Sequence, residues 1–325
     1  MRILYLSAGS TPDYQCDALL HGLKSLYGAQ VVDVEPAWFL YQKSFAARCP
    51  DPAQFYGRGF SLYGTLPELP VDRSDIPRKI QSRYFDLVIY GSIHRDQSHL
   101  WQVLEHYKPS EIVFVDGEDQ DHMLQPLINR GITFKRELSA IHPGVFPIHF
   151  AIPKEKVLTE RPTKTKVMAH CDPRDRSTYI FETEPDYYQD YAESLFGVTT
   201  QKAGWDCMRH YEILANRCIP HFIDLVRAPA LTMHRLPKIE ILLAARSLGQ
   251  QLSKHGPEAF LCGGSHAEVF WALEERIHRA FRSHCTTEAL AHYVLATTAE
   301  IQQNTSMRTS SWLFEAGQKT GTSAA

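Results

Sequence analysis

The sequence contains no C-x-x-C pair, no H-x-x-x-H or H-E-x-x-H spacing, and no apolar run near the roughly 20 residues that a membrane-spanning helix needs. Its cysteines, at positions 16, 49, 171, 207, 218, 262 and 285, are odd in number and widely spread. That distribution suits neither a disulfide framework nor a zinc knuckle, and a reducing cytoplasm is the expected compartment. The 16 histidines are scattered, so no metal is expected. No G-x-G-x-x-G follows the first apolar run, and there is no Walker A lysine loop and no G-x-S-x-G elbow. Dehydrogenase, P-loop kinase and α/β-hydrolase readings thereby lose their main support. Clustered Lys and Arg are lacking and the formal charge is -3, which argues against a broad electrostatic footprint for nucleic acid. The start, from Met1 to Ser10, has one basic residue and an apolar run too short for a signal-peptide core; it reads as a first strand.

What is present is a globular composition, 44% hydrophobic and 22% charged, on 325 residues, enough for two domains with buried cores. In the first half, short β-branched runs alternate with helical or loop stretches, the pattern of a parallel sheet covered by helices. Strands are expected at Ile3 to Leu6, Val31 to Val34, Leu87 to Tyr90 and Ile112 to Val115. Cys16, Leu19, Leu20, Leu23 and Leu26 recur at helical spacing between the first two. Polar or glycine-containing turns follow the later strands, and ligands of open α/β sheets gather at those carboxyl ends. Trp38 to Arg78, rich in aromatics, Gly and Pro, reads as an insertion or long ordered loop. Its Tyr56, Phe60 and Tyr63 suit either a core or a stacking surface for a sugar.

His142 to Pro162, with Pro143, Pro147 and Pro153, reads as an extended connection between domains. The second half restarts with a strand at Lys166 to Cys171, a helix around Tyr187 to Phe196 and a short strand in Gly197 to Thr200. Helices are expected at Ala267 to Arg282 and Thr287 to Gln303, and residues 317–325, small and polar, should fray.

The segment Thr199 to Pro220 reads as loop, helix, strand. Met208, Tyr211, Ala215 and Cys218 form a buried stripe, while Arg209, Glu212 and Asn216 share the other side. The helix follows a small-residue turn, where free N–H groups and the dipole favour an anion. Two readings fit. Arg209 and Glu212 are an exposed i, i+3 pair on a solvated face, or Lys202, Gly204 and Arg209 surround a phosphate while Glu212 accepts from the vicinal hydroxyls of a ribose. Elsewhere, His94 is the best-placed general base, because imidazole titrates near neutral pH, although a structural histidine fits as well. Arg174 and Arg176 can reach the same anion or remain solvated. Asp13 and Asp17 read as helix caps. Asp119-Gln120-Asp121 has Asp-x-Asp metal spacing and is read as a coincidence.

Arg209-x-x-Glu212, followed by Ala215-x-x-Cys218-Ile219-Pro220, resembles the donor segment of GT-B glycosyltransferases, most nearly the exostosin-like and CgeB-like groups. Asp13-Tyr14-x-x-Asp17 with His21-Gly22-Leu23, and Asp86 to Ser92, resemble the first domain of such proteins. Asn216-Arg217 departs from the small residue usual there, and is expected to crowd the entry to the strand. The resemblance implies an α/β fold of two Rossmann-like domains facing across a cleft. Residues 1–150 would take the acceptor and 151–302 the donor, with 303–325 a tail packing back on the first domain. It implies a metal-independent glycosyltransferase with no tightly bound cofactor, moving sugar from a nucleoside-diphosphate sugar to a glycan or other hydroxyl acceptor. Arg209 would then meet the diphosphate with His94 as catalytic base, and Arg174, Thr200, Lys202, Gly204 and Glu212 would complete the donor site. A non-catalytic nucleotide- or glycan-binding protein of the same fold is the alternative.

Overall fold

The computed structural model describes residues 1–256, 261 and 268–319. The strands β1 (Ile3–Leu6), β2 (Val31–Asp33), β3 (Leu87–Tyr90), β4 (Ile112–Asp116), β5 (Ile132–Lys135) and β6 (Val145–Pro147) form a six-stranded sheet in the order β2-β1-β3-β4-β5-β6. All its pairings are parallel. Successive side chains point to opposite faces of a strand. Ile3, Tyr5, Ile89, Val113 and Val115 accordingly enter one core, and Leu4, Leu6, Val88, Tyr90 and Phe114 the other. Two buried faces explain the continuous apolar runs.

β5 and β6 were not legible as strands. β5 ends in Lys135, which is fully buried because its Nζ donates to Asp116 Oδ1 at 2.8 Å. A lysine in that position hides the apolar pattern.

Helix α1 (Tyr14–Tyr27) begins where the Asp13 carboxylate accepts from the N–H groups of Gln15 and Cys16, and ends at Gly28 with φ 55°. Asp17 in turn accepts from the Asp13 N–H at 2.8 Å, so both aspartates serve the helix start. The helices α2 (Gln42–Arg48), α3 (Ile76–Gln81) and α4 (Leu100–His106) complete the first half. In the insertion, Tyr63 joins the core with Phe39 and Leu62, whereas Phe60 stacks on Tyr187 at 5.4 Å. The Tyr56 side chain lies outside the described residues.

A second, three-stranded parallel sheet has the order β7 (Lys166–Met168), β8 (Ser194–Thr199), β9 (Ile219–Phe222). Helix α5 (Glu184–Ala192) precedes β8, so Ser194 to Phe196 are strand where a helix was expected. Thr183 caps α5, accepting from the Asp186 N–H, and starts the helix three residues before the expected Tyr187. Helix α6 (Met208–Ala215) joins β8 to β9, and α7 (Lys238–His255) follows. One apolar cluster runs without a break from the first sheet through Phe150 and Ile152 to Leu195, Tyr211 and Ile219.

Helix α8 (Glu268–His284) leads to α9 (Thr287–Lys319), which returns to the first sheet. Residues 317–319, expected to fray, belong to α9, while the expected helix start at Ala267 and residues 320–325 lie outside the described residues. Helices α1 and α9 pack closely at Gly22, where an added Cβ would lie 1.9 Å from the Thr287 carbonyl oxygen. Tyr293 OH donates to the Pro147 carbonyl at 2.8 Å, and Gln302 Nε2 to the Ser110 carbonyl at 2.9 Å. Among the described residues no helix is long and apolar enough to cross a membrane.

Candidate functional site

Between the two sheets lies a cavity of about 440 Å³, walled by the loop and helix after β8, by the insertion, and by Tyr14, Asp119 and Phe150 from the first half. The loop is fixed before it reaches the helix. Gln201 N–H and Thr200 Oγ1 both donate to the Asp224 carboxylate at 3.2 Å, and Lys202 N–H donates to the Gly204 carbonyl at 3.1 Å. At Gly204 a Cβ would meet Glu137 Oε1 at 2.5 Å and Asp119 Oδ1 at 2.8 Å, so a larger residue would push aside carboxylates that Arg136 and the Asp206 N–H hold. Two residues on, the first half grips Asp206 by its backbone. Its N–H donates to Glu137 Oε1 at 2.9 Å, and its carbonyl accepts from Arg136 Nη1 at 2.8 Å. Helix α6 then starts at the cavity wall, with Cys207 extended at φ -150° and giving no side-chain cap.

Arg209 has an unusual set of partners. Its Nη2 donates to Tyr179 OH at 2.7 Å, its Nη1 is buried without a partner, and among the described residues it makes no ion pair. Lys202 Nζ donates to the same Tyr179 oxygen at 3.2 Å. Guanidinium and ammonium lie 5.6 and 5.5 Å from the Tyr179 ring centre, within cation–π range. With two cationic donors on its oxygen, the Tyr179 hydroxyl has its own proton left to donate to a further acceptor. A half-buried arginine lacking a carboxylate, a second cation and a spare O–H form a cradle suited to an anion.

The solvated Arg209–Glu212 pair does not form. Glu212 is 8% exposed, and its carboxylate accepts from Ser61 Oγ on one oxygen and from Tyr187 OH at 2.9 Å on the other. Burial raises its pKa, partly offset by the Ser61 and Tyr187 hydrogen bonds and the charge of Arg209. Asn216 is buried too, its Nδ2 donating to the Glu212 carbonyl at 2.8 Å. The polar side of α6 is covered because the insertion lies over it, which helical spacing alone does not reveal. Asn216-Arg217 does not block β9. Arg217 takes φ 53° and turns its guanidinium away to Glu274, Glu275 and the Thr159 carbonyl.

Of the residues singled out for the donor site, Lys202, Gly204, Arg209 and Glu212 share the cavity wall, which Phe60 and Asp119 also line. The remaining donor-site and catalytic candidates stand elsewhere. Arg174 is exposed and bound to Asp172 at 2.6 Å, and Arg176 is exposed. Thr200 is held by Asp224 behind the wall. His94 Nε2 lies 3.0 Å from Asp116 Oδ2, close enough for an ion pair but misaligned for a hydrogen bond, and His94 is not among the residues lining the cavity. Asp119 and Asp121 do not converge on one point, since Asp119 is bound by Arg136 and Asp121 by Ser139. Among the described residues no cluster of His, Cys, Asp and Glu is arranged to hold a metal ion.

No protein-family model matches the chain, and no curated protein matches it by sequence. Two solved structures are similar. One is an alpha-glucosyltransferase in complex with UDP and a 13-mer DNA containing a central A:G mismatch. It is 11% identical, with a TM-score of 0.45, over 92% of this chain and 100% of that one. The other is an alpha-glucosyltransferase in complex with UDP and a 13-mer DNA containing an HMU base. It is 12% identical, with a TM-score of 0.43, over 92% of this chain and 99% of that one.

Sequence reasoning missed Tyr179, Tyr187, Ser61 and Arg136. Each reaches the site from a distant segment, and none carries a local spacing signal. Cys207 was also missed. Burial works to raise its thiol pKa, but His210, with Sγ 3.9 Å from Nδ1, and the charge of Arg209 outweigh burial and lower it. Its place directly ahead of an amphipathic helix is the one signal that could have drawn attention to it.

Proposed function

We propose that the chain is a glycosyltransferase of the GT-B type, transferring sugar from a nucleoside-diphosphate sugar to a hydroxyl acceptor. The observation that carries this reading is Arg209, a half-buried arginine on the wall of a cavity between two parallel α/β sheets, with no carboxylate partner among the described residues. A diphosphate supplies the missing negative charge. Arg209, Lys202 and Tyr179 hold it and stabilise the charge that develops as the glycosidic bond breaks. Glu212 accepts from the ribose hydroxyls. Residues 151–302 are the donor side and 1–150 the acceptor side, and the nucleotide sugar is a substrate, with no resident cofactor. The finer likeness to the exostosin-like and CgeB-like groups rests on Arg209-x-x-Glu212 and the residues that follow.

Asp119, rather than His94, is the group suited to take the acceptor's proton, because its carboxylate lines the cavity from the first half. That same carboxylate is bound to Arg136 and must leave that ion pair to reach an acceptor, which favours, as a second reading, a protein that binds nucleotide without transfer. The two readings separate in an assay of UDP-, GDP- and dTDP-sugars with a broad panel of hydroxyl acceptors, following release of the nucleoside diphosphate. Release above the protein-free rate that is lost in Asp119→Asn supports the transferase. Binding without release or transfer supports the second reading, and no binding of any nucleotide rejects both.

A further inference from the structure

We infer that Ser61 competes with ligand hydroxyls for the Glu212 carboxylate, and so sets how strongly the site favours a ligand carrying a vicinal diol. The inference rests on the cavity being a nucleotide site, and adds to that reading a determinant from the insertion.

Glu212 already has a hydroxyl donor on each carboxylate oxygen, Ser61 Oγ on Oε1 and Tyr187 OH on Oε2. A vicinal diol engages a carboxylate in the same way, one hydroxyl to each oxygen. The two donors are not held alike. Tyr187 sits on α5, a helix packed beside β8 and α6, and its ring is flanked by Tyr191 and Phe60. Ser61 ends a loop in which Gly57, Arg58, Gly59 and Ser61 itself all take positive φ, at 63°, 55°, 71° and 67°. Two of these are not glycine, and that conformation is uncommon for such residues. The loop crosses from the first half to the second. There the Ser61 N–H donates to Glu184 Oε1 at 2.7 Å, Arg58 Nη1 donates to the Phe181 carbonyl at 2.6 Å, and Ser61 Oγ lies 2.9 Å from Tyr188 OH.

Gly57, Arg58 and Phe60 line the cavity beside Glu212. A diol entering there meets a carboxylate whose Oε1 is occupied by Ser61. It gains only the difference between its own hydrogen bond and the one it displaces. A hydrogen bond to a charged acceptor is among the stronger kinds, so that difference is felt in affinity. Removing the Ser61 hydroxyl frees Oε1 for the ligand. A purely structural tie between the halves would behave in the opposite way, because cutting it would loosen the wall and weaken every ligand.

The test is calorimetric titration of the full chain with UDP, GDP and ADP and with their 2′-deoxy counterparts, in wild type, Ser61→Ala and Ser61→Gly. Glycine suits the positive φ at this position, so Ser61→Gly guards against a folding defect in the alanine variant. Both variants are expected to bind the preferred ribonucleotide about 5- to 10-fold more tightly than wild type. Affinity for its 2′-deoxy form should stay within about twofold, widening the discrimination. Unchanged or weaker ribonucleotide binding, or equal tightening of both forms, overturns the inference while leaving the nucleotide site standing. Wild type that binds no nucleotide removes that site as well, and with it the inference.

Discussion

Arg136 and Arg209 approach the loop between β8 and α6 from opposite halves of the chain. Arg136 is saturated. Its Nε and Nη2 donate to the Gly117 carbonyl at 3.0 and 2.8 Å, Nη2 also meets the Asp119 carboxylate, and Nη1 is shared between Glu137 Oε1 at 2.9 Å and the Asp206 carbonyl at 2.8 Å. The face of its guanidinium lies 4.6 Å from the centre of the Phe150 ring. Arg209 uses one nitrogen, on a tyrosine. A buried guanidinium is stable in the fold only when acceptors compensate its lost hydration. The arginine with every acceptor supplied is part of the architecture, and the one left short is the one we propose meets a ligand.

The comparison breaks first if Arg136→Ala leaves stability intact. Removing it strands Glu137 and the Gly117 and Asp206 carbonyls, and the expected loss is about 3–5 kcal/mol in denaturant unfolding. Arg209→Ala should change stability by no more than about 1 kcal/mol, because Arg209 makes no ion pair among the described residues and only its longer-range attraction for the Glu212 carboxylate is lost.

Next in size is a pH effect that neither arginine can cause, since both stay charged. Burial lowers the His21 pKa to about 4, and the nearby Lys154 and Lys156 act in the same direction against Glu288. A histidine held neutral in the fold protonates more readily when unfolded, so stability is full above pH ~6.5 and falls as pH drops toward 4. The expected loss from this residue is about 2 kcal/mol at pH 4.5, reduced by Glu155, 3.6 Å from Nε2. Unfolding curves across pH 4.5–7.5 for wild type and His21→Gln should converge at the acid end, and parallel curves would count against it.

These differences also show how much was legible beforehand. The apolar runs of β1, β3 and β4 gave the sheet, because strands buried on both faces need no alternation to be seen. Arg209, Glu212, Lys202 and Gly204 stood out because one loop and one helix carry them. What escaped was whatever depends on chain separated in sequence. Lys135 and Arg136 look like surface residues until Asp116, Asp119 and Glu137 are set beside them, and Ser61 lies 151 residues from the carboxylate that it caps. Helical spacing left Glu212 between a solvated face and a ligand site, because it identifies one buried face and cannot report a second, covered by an insertion. Gly204 was singled out for an anion, but its missing side chain makes room for Glu137 and Asp119.

Smaller effects sharpen the role of the cradle. Tyr179→Phe keeps the ring beside Lys202 and Arg209 but removes the hydroxyl. Nucleoside diphosphate should bind about 5- to 10-fold more weakly, while the bare nucleoside is unaffected. Equal loss for both would show that the ring matters and the hydroxyl does not. Cys207, drawn toward the thiolate at the mouth of the same cradle, should react with iodoacetamide faster than the buried Cys218, whose pKa burial pushes up to about 12. Bound nucleotide should slow that reaction a few-fold, read by mass spectrometry. Protection of Cys207 that does not depend on the diphosphate would separate the thiol from the anion site.

The most direct measurement is the binding of UDP, GDP and dTDP to wild type and Arg209→Ala by calorimetry at low and high salt. At least one nucleotide should bind wild type, with affinity falling as salt rises, and Arg209→Ala should lose about 30- to 100-fold while still unfolding like wild type. Equal affinity in the two proteins, or no binding by either, would contradict the assignment of the unpaired arginine to a diphosphate.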